Sequence, residues 1–130
     1  MGQTKLGGID IKTVKEKLEL IVKAIDDRFG QDIVALEVKD LTPLVDYFVV
    51  THASNDRQLD AIVEAVKDVV EENEIPLKNI EGKDGGKWVL IDLNDIVVHV
   101  FYYSERLHYN LEKVWQDAPL VNLSEWINVK

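Results

Sequence analysis

The chain contains no cysteine. Disulfide bonds, thiolate nucleophiles and zinc sites built on thiolates are excluded, and the composition suits a reducing compartment. No apolar run approaches the roughly 18–20 residues that a membrane-spanning helix requires, so no membrane partner is expected. The opening MGQTKLGG lacks the apolar stretch of a signal peptide, which points to a cytoplasmic protein. Gly2 is not followed by Ser or Thr at the sixth position, so a myristoylation signal is unsupported. Positive charge is scarce: 15 Lys and Arg face 24 Asp and Glu, a net charge of −9. A grip on a phosphate backbone needs clustered cations, so no direct nucleic-acid binding is expected. A basic protein partner suits this balance better, although the same surplus also serves solubility.

What remains is a chain of 130 residues, 46% hydrophobic, enough to form one domain around one core. The most informative stretch is WVLIDLNDIVVHVF, Trp88 to Phe101. It reads as two strands of alternating pattern joined by a turn at Asn94 and Asp95, residue types that tolerate left-handed backbone. With that turn, Leu93 faces Ile96, Ile91 faces Val98 and Val89 faces Val100, an aliphatic face that must be core. The opposite face carries Trp88, Leu90 and Asp92 on one strand and Val97, His99 and Phe101 on the other. Large aromatics mixed with a carboxylate and an imidazole resemble a protein-binding surface.

The periodicity predicts a helix over about Ile11–Arg28, with Ile11, Val14, Leu18, Ile21, Val22 and Ile25 on one stripe, Asp10 as N-cap and Gly30 as a left-handed stop. Strands are predicted at Ile33–Val38 and Asp46–His52, separated by a linker containing Pro43. Asn55 and Gln58 resemble a capping box for a second helix running to about Asn73, with Pro76 beyond its end. Asn79–Gly82 reads as a short strand. Ser104 is the predicted cap of a last helix carrying Leu107, Leu111, Val114 and Trp115. The fold class is therefore a single α/β domain with a mixed sheet flanked by helices, including at least one parallel strand pair. Residues 1–9 are expected to be disordered or vector-derived, residues 10–118 to form the domain, and the apolar tail 119–130 to dock on it.

Chemistry is sparse. GKDGGK at Gly82–Lys87 has neither the spacing nor the following helix of a phosphate-binding loop, and no serine has a recognisable adjacent base. Asn122-Leu123-Ser124 matches a glycosylation sequon, but without a secretion signal it reads as coincidence. His52, His99 and His108 are far apart, although His52 and His99 would approach if their strands are neighbours, and a metal- or pH-responsive pair is one reading. Asp46, Asp92 and Asp95 near strand ends offer an alternative, a Mg-dependent nucleotidyltransferase, against the simpler reading of turn-stabilising carboxylates.

The ordered set DYFVVTHAS (46–54), Ala61-Ile62, Glu81-Gly82, WVLIDLNDIVVHVF (88–101) and ERLHYNLEKVW (105–115) resembles the ribosomal silencing factor family, also called Iojap-like or RsfS-type proteins, over roughly Val14–Pro119. The family usually has Gly where Asn94 stands; Asn is the next best residue for a positive φ. The resemblance implies a nucleotidyltransferase-like topology without that activity, since the Gly-Ser helix start and Asp-x-Asp pair of active enzymes are absent. It implies a translational repressor that needs no cofactor or metal, binds the large ribosomal subunit through ribosomal protein uL14, and blocks joining of the small subunit. It further implies a homodimer in isolation. The mixed hairpin face, read together with this resemblance, makes Trp88, Leu90, Asp92, His99, Phe101, Tyr102 and Tyr109 the expected partner-binding residues.

Overall fold

The computed structural model describes residues 4–6 and 9–128. Along it run β1 (Thr4–Leu6), β2 (Ile9–Ile11), α1 (Val14–Asp27), β3 (Gln31–Glu37), β4 (Tyr47–Ala53), α2 (Asp56–Glu72), β5 (Asn79–Lys83), β6 (Trp88–Asp92), β7 (Ile96–Tyr102), α3 (Tyr103–Tyr109) and α4 (Leu111–Val114). The main sheet has the order β3-β4-β7-β6-β5. Only β4 and β7 pair in parallel; the other neighbours are antiparallel. This is the mixed sheet of the expected α/β domain, and α2 supplies the helical part of the crossover that a parallel pair requires.

Helix α1 starts later than its periodicity suggests. Thr13, not Asp10, is the N-cap: the Glu16 amide donates to Thr13 Oγ1 at 3.1 Å and the Thr13 amide donates to Glu16 Oε1 at 2.8 Å. This reciprocal box satisfies two orphan donors at once, and Ile11 is left in β2. Strands β1 and β2 pair with each other in a small antiparallel sheet; the rest of the segment 1–9 lies outside the described residues.

The end of α1 also differs from expectation. Phe29, not Gly30, takes the left-handed conformation, at φ 60°. Gly30 is needed for space: a Cβ there would run into the Ile25 side chain and sit 3.0 Å from Thr51 Oγ1. At the start of α2, the Gln58 amide donates to Asn55 Oδ1 at 2.8 Å. The Gln58 side chain accepts from the Ser54 amide and donates to the Phe29 carbonyl, both at 2.8 Å. One glutamine thus ties the end of α1 to the start of α2.

Both long helices lie on one face of the sheet. Leu18, Ile21, Val22 and Ile25 of α1 and Leu59, Ile62 and Val66 of α2 pack with Val49, Ile91, Val98 and Val100 in the main core. The tail joins this core through Leu123, Val121, Trp126 and Ile127. It runs beside β3, with the Val121 amide donating to the Ala35 carbonyl and the Glu37 amide donating to the Pro119 carbonyl, both at 2.9 Å.

The other face is covered by α3 and α4, and here the expected amphipathic helix does not exist. Ser104 is not the cap; Tyr102 holds the N-cap position without a side-chain bond. Asn110, at φ 47°, breaks the segment in two. The break removes a common apolar stripe, leaving Leu107 and Val114 exposed at 81% and 69%, while Trp115 packs against Phe48, centroids 5.0 Å apart.

Gly30→Ala is expected to destabilise the fold by about 1–3 kcal/mol through overpacking, read as a lower urea midpoint with an unchanged slope. A variant as stable as the parent would show that Ile25 and β3 have room to shift.

Candidate protein-docking face

The hairpin forms in the expected register: Trp88 opposite Phe101, Leu90 opposite His99, Ile91 opposite Val98. Asn94 takes the left-handed turn position at φ 75°, and its amide donates to Asp92 Oδ1 at 2.9 Å. The aliphatic side enters the main core. The aromatic side forms a second, smaller assembly on the opposite surface of the sheet.

Trp88 is the centre of that assembly. Its indole Nε1–H donates to His99 Nδ1 at 3.1 Å. Its ring stacks on Phe101 at 5.1 Å between centroids and meets Tyr109 of α3 at 4.4 Å. Lys83 Nζ lies 5.7 Å from the ring centroid, within cation–π range. Trp88 remains half-buried, so one of the largest apolar side chains is held in place while part of it faces solvent.

The expected open aromatic face needs correction at two positions. Phe101 is fully buried and His99 is 5% exposed. Tyr109 lies over Phe101, with centroids 6.0 Å apart, and Phe48 packs edge-to-face on His99 at 5.3 Å. These two residues cannot be touched by a partner in this conformation; they support Trp88 from beneath. Leu90, Asp92 and Tyr109 are half-buried and stay on the Trp88 side. Tyr102 is half-buried but belongs to the opposite side of β7, where it packs against the main core; the two-residue alternation separates it from Trp88.

Burial and nearby Lys83 push the His99 imidazole down to about 4. It is therefore neutral at pH 7. Because Nδ1 accepts from Trp88, the proton is assigned to Nε2, which has no hydrogen-bond partner among the described residues.

His52 and His99 share this face, but His52 is opposite Phe101 and Val50 is opposite His99. His52 Nδ1 lies 2.9 Å from Arg106 Nη1, and burial, then the guanidinium charge, lowers its pKa. The acids of the alternative reading gather at one end of the sheet, where each has a local contact. The Asp46 amide donates to the Asp95 carbonyl at 2.8 Å, Asp95 Oδ2 is 3.4 Å from Lys17 Nζ, and Asp92 holds the turn. Among the described residues, no three His, Asp or Glu side chains are arranged to hold a metal ion.

Sequence reasoning missed Arg106, which is 5% exposed and lies beneath α3. It occupies a charged position in ERLHYNLEKVW, and its neighbours come from β3, β4 and α4, so no local pattern marks it.

The depressed His99 titration has a definite sign. The unfolded chain protonates near the ordinary 6.5 and the folded chain only near 4, so stability is full above 6.5 and falls as pH drops toward 4. The expected loss is about 3 kcal/mol across that window. Urea unfolding at pH 7 and pH 4.5 checks it: His99→Gln should show a smaller acid loss than the parent, and equal losses would count against it.

The sequence profile described as "Ribosomal silencing factor during starvation" matches residues 11–130. Ribosomal silencing factor RsfS of Bacillus subtilis is 45% identical over 114 residues, 88% of this chain and 97% of that protein. A crystal structure from Bacillus halodurans superposes with a TM-score of 0.74 at 43% identity, covering 84% of this chain and 99% of that one. The mouse protein named "Mitochondrial assembly of ribosomal large subunit protein 1" is 28% identical over 84% of this chain and 49% of its own length. On a shared fold and near-complete alignment, the chain belongs to the ribosomal silencing factor family.

Proposed function

We propose that this protein represses translation by binding the large ribosomal subunit through ribosomal protein uL14 and obstructing the small subunit sterically. The observation that carries this reading is the half-buried Trp88, held by the His99 bond and the rings of Phe101 and Tyr109. A pre-positioned, partly exposed tryptophan is the kind of residue that dominates protein interfaces. Leu90, Asp92 and Tyr109 would flank it. A net charge of −9 suits a basic ribosomal protein. The large-subunit name of the mouse relative points the same way, as do relatives named silencing factors rather than enzymes.

A steric blocker requires a docking face and no reaction centre, so no cofactor is invoked. Residues 10–118 would form the silencing domain, with 119–130 as a tail docked along β3. We place the protein in the cytoplasm and propose that it is a homodimer when alone. Among the described residues, no helix is long and apolar enough to cross a membrane.

Sedimentation with isolated large subunits tests the proposal; absence of co-migration at moderate salt would overturn it. Trp88→Ala is expected to weaken binding by roughly 1–4 kcal/mol while the variant stays folded. Phe101→Ala should act differently, lowering stability by about 3–5 kcal/mol because it empties a buried site. If Phe101→Ala lost binding at undiminished stability, direct contact would be restored to that residue.

A further inference from the structure

The segment that roofs the docking face has an unusual attachment. The buried residue of α3 is an arginine, and α4 has none. Leu107 and Val114, which a helix would ordinarily turn inward, face solvent. Besides ring contacts of Tyr103, Tyr109 and Trp115, a buried arginine, Arg106, ties the segment to the sheet.

Arg106 reaches three other elements. Its Nη1 donates to the Gln31 carbonyl of β3 at 3.3 Å and lies 2.9 Å from His52 Nδ1 of β4. Its Nε and Nη2 donate to the two oxygens of Glu112 in α4 at 3.3 and 2.9 Å. Asp32 Oδ2 lies further off, 3.8 Å from Nη2. The guanidinium is a flat fork of five donors, so it serves a carbonyl, an imidazole and a bidentate carboxylate together. The Glu112 bonds also span the break at Asn110, fixing α4 relative to α3. Tyr109, which abuts the Trp88 ring, sits between the two ends of this link.

We infer that Arg106 is a positioning residue for docking: it clamps α3–α4 onto β3 and β4 and so holds Tyr109 against Trp88 before the partner arrives. This deepens the proposed function and rests on it. A docking surface ordered in advance avoids the cost of ordering it on binding. A lysine cannot replace the arginine, because a point charge lacks the planar fork.

The test compares Arg106→Met, Arg106→Lys and Glu112→Gln with the parent and with Val66→Ala, a core variant remote from the clamp. Amide exchange in α3–α4 is expected to rise about tenfold or more in both Arg106 variants, with β4 and β7 protection retained. Their near-UV circular dichroism should fall as Trp88 loses its fixed neighbour, and affinity for isolated large subunits should drop about fivefold or more. Glu112→Gln, which keeps the buried arginine, should show the same changes to a smaller extent. Val66→Ala should lower the melting temperature without moving any of the three readouts. Parent-like exchange in Arg106→Met or Glu112→Gln would overturn the clamp, and so would a loosened α3–α4 with unchanged affinity. If the parent itself did not bind large subunits, the proposed function and the docking role of Arg106 would both fall, while the exchange measurements would still decide whether Arg106 anchors the segment.

Discussion

The register of β7 between β4 and β6 sets the position of nearly every residue that matters. Val98 lies beside Val49 on one side and Ile91 on the other. Because side chains alternate, this places the aliphatic set of all three strands on one surface and Trp88, His99, Phe101 and Phe48 on the other. A slip by one residue would exchange the two surfaces. The left-handed turn at Asn94 and the parallel pairing with β4 hold the register from opposite edges. The asymmetry of the sheet follows from these two constraints.

The two surfaces are closed by different physics. Long amphipathic helices seal the aliphatic side, a non-directional arrangement governed by buried area. The aromatic side is closed by two short helical pieces with little apolar surface to contribute. Rings meeting at edges and faces, one indole–imidazole bond and one buried guanidinium take over, and all of these depend on direction. A surface assembled this way is shallow and specific, and it leaves Trp88 half-open where a fully aliphatic closure would have covered it.

Polar burial on that side has an electrostatic consequence. His99 accepts from Trp88 and stays neutral because burial and Lys83 disfavour its charged form. His52 stays an acceptor beside Arg106 for related reasons. Two imidazoles that resemble a metal pair in sequence therefore act as hydrogen-bond acceptors under aromatic and guanidinium donors.

Much of the architecture was legible in the sequence. The hairpin, its register, the left-handed role of Asn94 and the two core helices follow from period-two and period-3.6 patterns, which are local and repeated. Family membership followed from the order and spacing of several short motifs. Other features lay beyond local pattern. The choice of Thr13 over Asp10 as cap, and of Phe29 over Gly30 for the left-handed turn, depended on hydrogen bonds and on a collision with Ile25. Whether Phe101 was open or roofed depended on where α3 and its Tyr109 came to rest, and His99 was covered by Phe48 from the neighbouring β4. That placement is decided by Arg106 and by contacts between residues dozens of positions apart, which only the assembled fold brings together.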